Sequence, residues 1–146
     1  MEKYFRKPVT LLFLFWELPQ NILGAATYLT LKRSGKILGS SFEQERIFME
    51  TPRLGVSLGT FIFWTKRGNR FSHLNNDCRM HEYGHSIQSR MLGPLYLLVV
   101  GVPSVMRHFY SKRFITKYGR NWSDYYAGFP ENWADRLGGV KQGNIS

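Results

Sequence analysis

Five consecutive residues, His81-Glu82-Tyr83-Gly84-His85, combine the types and spacing that metal-assisted chemistry needs. On a helix, side chains at i and i+4 stand about 5–6 Å apart on one face. Imidazole nitrogens so placed can both reach one zinc ion at about 2.0–2.1 Å. Glu82 lies beside the pair, where it can take a proton from a water activated at the ion. An open zinc site needs a third protein ligand, and His73, His108, Asp77, Asp124, Glu131 and Asp135 are the candidates. Glu131 and Asp135 stand out, because in Phe129-Pro130-Glu131-Asn132-Trp133-Ala134-Asp135 they fall four apart and face one way from a helix. A carboxylate ligand followed one turn later by a carboxylate that holds a histidine's free N–H is coherent metal-site chemistry. Gly84 costs its helix about 1 kcal/mol relative to Ala. A missing side chain there is useful if a second element packs close to the metal.

HEYGH followed by ENWAD resembles the gluzincin pattern of thermolysin-like zinc metallopeptidases. The longer string HEYGHSIQSRMLGPLYLLVVGVPS is similar to small bacterial zincin-like proteins, and the likeness covers most of residues 56–140. The resemblance implies that His81, His85 and Glu131 bind zinc, that Glu82 is the general base, and that Asp135 orients His81. It implies a hydrolase acting on a peptide or protein substrate, which pairs with an edge strand just upstream of the motif helix. Val56 to Thr65 is in the right place for that strand. The family also uses a Tyr or His to stabilise the transition state, and Tyr118, Tyr125 and Tyr126 are all candidates. The interval between His85 and Glu131 is longer than in thermolysin itself.

These residues must be positioned by one small domain of α+β class, mostly helical, with a short antiparallel sheet before the motif helix. Residues 34–146 form the zincin-like metal-binding domain, and residues 1–33 an N-terminal apolar to amphipathic helix. Phe42 to Glu50 and Val56 to Thr65 read as two antiparallel strands, the second rich in β-branched and aromatic residues. A polar loop, Lys66 to Asn76, follows. The motif helix runs from about Asp77 to Leu92, capped by Asn75, Asn76 or Asp77 and stopped by Gly93-Pro94. The apolar run Leu95 to Val102 is too short to span a bilayer. Arg107 to Arg120 is basic and helical, and a last helix begins near Pro130 and ends at Gly138-Gly139.

Composition narrows the partners. The 146 residues carry a formal charge of +10 and a pI near 10.0, which favours an acidic partner. The single cysteine, Cys78, excludes an intrachain disulfide framework and a four-cysteine zinc site, and reads as a small buried hydrophobe. His73 and His108 read as surface residues. An anionic membrane surface is one candidate partner of the basic segment, and nucleic acid is the less favoured one. Two rivals to the enzyme reading follow: a non-catalytic, zinc-stabilised membrane-surface or interaction module, and a basic nucleic-acid-binding domain.

The N-terminal segment carries the localisation. Lys3, Arg6 and Lys7 precede an apolar stretch, Val9 to Leu31, and with Gly24-Ala25-Ala26 resemble a secretory signal. Glu17-Leu18-Pro19-Gln20-Asn21 interrupts it. Wound at about 100° per residue, Thr10, Glu17, Gln20, Asn21, Gly24 and Thr27 share about a third of the circumference. The expectation is a helix kinked at Pro19 and buried on one side, lying in or on a membrane or packing against the rest of the chain; a membrane-associated location is expected, with a cytoplasmic one as the alternative. Glu17 is expected to pair with a base of the segment Arg107 to Arg120.

Overall fold

The computed structural model describes residues 8–66 and 75–140. His73, most of the polar loop, and Lys3, Arg6 and Lys7 lie outside the described residues. Among the described residues, five α-helices and four strands follow in the order α1 (Pro8–Trp16), α2 (Leu18–Arg33), β1 (Gly39–Glu43), β2 (Arg46–Glu50), β3 (Val56–Leu58), β4 (Phe61–Trp64), α3 (Asn75–Leu92), α4 (Val102–Tyr118) and α5 (Glu131–Gly138). The class is α+β, as the sequence suggests.

The sheet differs in detail from the expectation. Its order is β1-β2-β4-β3, with β1–β2 and β3–β4 antiparallel but β2–β4 parallel. Each stretch read as one strand is part of a hairpin. Gln44 and Glu45 turn the first at φ 50° and 60°, and Gly59 turns the second at φ 64°. Two consecutive positive-φ residues suit the twist of a tight hairpin, but here neither is glycine or asparagine. Phe48, Met49, Ile62 and Phe63 of the two central strands are fully buried and form the apolar floor beneath α3.

The first two helices correct the localisation. Pro19 falls within the first two positions of α2, and the chain breaks at Glu17 into helices of 9 and 16 residues. No helix among the described residues is long and apolar enough to cross a membrane, so membrane association through this segment is not supported. The shared polar face packs inward instead. Glu17 and Gln20 are fully buried, with Asn21 and Gly24 also in the interior. Asn21 Oδ1 accepts the Thr60 amide at 2.8 Å, and Gln20 Nε2 donates to Gly93 O at 2.6 Å. The apolar faces of these helices are left outside, where Leu12 and Phe15 are exposed.

Glu17 pairs not with the basic run of α4 but with Arg46 of β2, at 3.7 Å, and it accepts Ser89 Oγ at 2.6 Å. Arg46 in turn donates to Ser86 O at 2.9 Å. Its burial lowers the guanidinium pKa to about 10, against the upward pull of Glu17. This buried network ties α2 and β2 to the back of α3, the helix that carries the histidines.

After α3 the chain stays helical. Gly93, at φ 54°, opens a short 3-10 turn through Leu95. A π-helix over Leu97–Gly101 continues into α4, so the second apolar run and the basic segment are nearly continuous. The side chains of Asn75, Asn76 and Asp77, read as caps of α3, lie outside the described part.

Candidate metal centre

Helix α3 presents His81, Glu82 and His85 to α5, which returns Glu131 and Asp135. Two glycines let these helices approach. A methyl group built at Gly84 would lie 2.7 Å from the Ala134 carbonyl carbon, and one at Gly138 would lie 2.8 Å from that of Met80. Real contacts between carbon atoms sit at about 3.5–4.0 Å. The glycine inside the motif is therefore where the second metal-site element crosses, as its cost to the helix suggests.

That crossing brings one carboxylate oxygen to both histidines. Glu131 Oε2 lies 3.1 Å from His81 Nε2 and 3.1 Å from His85 Nε2. All three side chains are buried, and together they form a group able to hold a metal ion. Tetrahedral zinc with bonds of about 2.0–2.1 Å separates its ligand atoms by roughly 3.3 Å, so the oxygen-to-nitrogen spacings fit.

Each ligand is held from behind. His81 Nδ1 bonds Asp135 Oδ1 at 2.7 Å, and His85 Nδ1 bonds Gln88 Oε1 at 2.7 Å. Fixing Nδ1 as the donor turns both Nε2 lone pairs toward Glu131. Gln88 is itself anchored by donating to Pro130 O at 3.1 Å, and Ser104 Oγ donates to Glu131 Oε1 at 2.6 Å. The Ser104 bond occupies one carboxylate oxygen and leaves Oε2 for the histidines. Gln88 and Ser104 were not read from the sequence. Gln88, three residues after His85 on the same helix, carries a signal that spacing could have found; Ser104, on α4, carries none.

The buried charges of the group shift one another's protonation. Burial opposes charge on His81, but Asp135 and Glu131 outweigh it and raise its pKa to about 10 without an ion between them. Burial also opposes charge on Glu131, yet both histidines hold it well below the usual carboxylate range. Glu82 moves the other way: its burial raises the carboxyl pKa, more than the two histidines lower it. A carboxylate whose pKa is shifted up toward neutrality is a better proton acceptor.

Glu82, His81, His85 and Glu131 all line one cleft of about 740 Å³. Its walls include Leu23, Val56, Leu58, Tyr96 and Val105. Strand β3, at the sheet's edge, forms one side. Tyr125 and Tyr126 also line the cleft, and the Tyr126 ring meets His81 edge-on at 5.4 Å. Tyr118 does not line it and is exposed.

The other ligand candidates separate cleanly. His108 lines the cleft without joining the histidine–glutamate group, and burial and Lys112 lower its pKa. Asp124 is exposed on the loop before α5 and is not part of the group. Cys78 is buried, and burial pushes its thiol up to about 12. Asp77's side chain and all of His73 lie outside the described residues.

No protein-family model, curated protein or solved structure matches the chain. The functional reading rests on the site's own chemistry.

Proposed function

We propose that this protein is a small zinc metallopeptidase of gluzincin-like type, with His81, His85 and Glu131 as ligands and Glu82 as general base. One observation carries the reading: a buried His-His-Glu group, each histidine fixed through its second nitrogen, opens on the same cleft as an uncommitted glutamate. Zinc, when bound there, would lower the pKa of a water toward about 7 and polarise a carbonyl.

The chain's own residues do the rest. Glu82 accepts the proton of the attacking water at its carboxylate and returns it to the leaving amine, a role its raised pKa favours. Asp135 and Gln88 keep the imidazoles in one tautomer and orientation. β3 is the last strand of its sheet and lines the cleft, which supports the addition of an extended peptide as a further strand there. An open cleft of this size favours catalysis over a closed, purely structural zinc site.

The test is a Glu82→Gln variant, nearly isosteric but unable to accept the proton. It should keep one zinc per chain and lose peptide hydrolysis by about 100-fold or more. Undiminished turnover in the purified variant would end the proposal.

A further inference from the structure

The turn between β2 and β3 holds a single cation against the cleft. Thr51 N donates to Trp64 O at 2.8 Å, and Thr51 Oγ1 and Leu54 are joined by bonds of 2.8 and 2.9 Å. Thr65 Oγ1 donates to Pro52 O at 3.1 Å. Pro52 fixes its own φ, so the turn is braced on both sides. Arg53 stands at its tip, exposed and lining the cleft.

Two features make this arginine more than a solvated surface charge. Among the described residues, no hydrogen bond or ion pair engages it, so its guanidinium keeps all five donors for something else. Its position is also fixed relative to the base. Two residues on, a methyl group built at Gly55 would lie 3.0 Å from Glu82 Oε1. Two residues of backbone span about 7 Å at most, so with the methyl contact added the Arg53 backbone lies within about 12 Å of the base, about three residues of an extended substrate.

The rest of the lining sharpens the point. Among the described residues, no other Lys or Arg lines the cleft, whose remaining walls outside the metal site are largely apolar. His108 is kept toward its neutral form by burial and by Lys112. The chain as a whole carries a formal charge of +10, and such a field draws anions toward the surface.

We propose that Arg53 is a specificity residue that receives a carboxylate of the substrate, so that the preferred substrates are peptides with an anionic group close to the cleaved bond. The inference rests on the peptidase reading. The carboxylate is either the peptide's C-terminus or an acidic side chain, and the guanidinium recognises both in the same way.

The experiment uses the full zinc-loaded chain and a matched peptide set. The reference is N-acetyl-Ala-Ala-Leu-Leu-Ala amide; its relatives are the same peptide with a free C-terminal carboxylate, and amides carrying Asp at each position in turn. At low ionic strength, at least one anionic peptide should exceed the neutral reference about tenfold in kcat/KM, as a charged hydrogen bond provides. That ratio should fall to about one in Arg53→Ala and below one in Arg53→Glu. A free carboxylate that outperforms every Asp amide identifies terminal recognition, and the reverse identifies an acidic side chain. Equal rates across the set, or a preference that survives Arg53→Glu, overturns the proposal.

Calorimetric binding of the same peptides to zinc-loaded Glu82→Gln protein, with and without Arg53→Glu, separates this inference from the peptidase reading. Tighter binding of anionic peptides that depends on Arg53, with no cleavage by the wild-type chain, would leave the anion site standing and remove the peptidase. Binding without discrimination would remove the anion site itself.

Discussion

Replacing Gly84 with alanine adds one methyl group at the crossing of α3 and α5, and two physical effects then predict opposite outcomes. Helix propensity alone favours alanine by about 1 kcal/mol. Packing opposes it, because the new carbon would stand 2.7 Å from the Ala134 carbonyl carbon and 3.0 Å from Gly138 N. Both neighbours are backbone, so no rotamer change relieves the contact, and overpacking of this kind costs up to about 3 kcal/mol. The net expectation is a loss of about 2 kcal/mol, or about 4–8 °C in Tm for a domain of this size. Restoring ordinary carbon contacts requires the helices to part by about 1 Å. The His81–Asp135 bond, now 2.7 Å, would then exceed hydrogen-bond range, and Glu131 would draw away from both histidines. Loss of a histidine's orienting partner alone weakens metal binding about 10–100-fold. Thermal unfolding of chelator-treated protein reads the first effect, and competition with a zinc-binding dye reads the second. Gly39→Ala is the control, since nothing lies near its added methyl group. A Gly84→Ala protein that melts at or above the wild-type temperature and binds zinc as tightly would refute the reasoning.

Two further outcomes follow from the charges of the site and its neighbourhood. Metal-free His81 has its pKa raised from 6.5 to about 10, so its contribution to stability is complete below 6.5 and is lost as pH rises through 10. Glu131 is shifted down from 4.5, so its contribution is complete above 4.5 and is lost as pH falls toward its folded value. Chelator-treated protein should therefore be most stable between pH 4.5 and 6.5 and weaken toward pH 10, and a stability that instead climbs from pH 7 to 10 would contradict the pairing. Cys78, with its thiol pushed from 9.0 to about 12, should have its thiolate fraction at pH 8 reduced about 1000-fold. Iodoacetamide should label it readily only after unfolding; rapid labelling of the native protein would count against its burial.

The chemistry of the site was more legible in the sequence than its surroundings. His81, Glu82 and His85 announce themselves because helical spacing is a local property, and so do Glu131 and Asp135. What joins the two groups is tertiary. Only Gly84, an unfavourable residue in mid-helix, hinted that α5 crosses there. Ser104 reaches Glu131 across 27 residues, and no pattern in the chain marks that contact. The inward polar face of α2 was readable from periodicity, but its partners were not: Glu17 meets Arg46 and Arg90, whereas the sequence pointed to the basic run of α4. The hairpin at Gln44-Glu45 escaped because its turn residues carry none of the usual glycine or asparagine signal. The parallel pairing of β2 with β4 joins two hairpins, a tertiary contact that no local pattern marks.

Metal content tests the central claim most directly. Purified protein, prepared without chelators, should carry about one zinc per chain by elemental analysis. His81→Ala and Glu131→Ala should each lose it, while Glu82→Gln should retain it, since the base is not a ligand. A folded wild-type protein that takes up no zinc, or a Glu131→Ala variant that holds it as well as the wild type, would contradict the site described above.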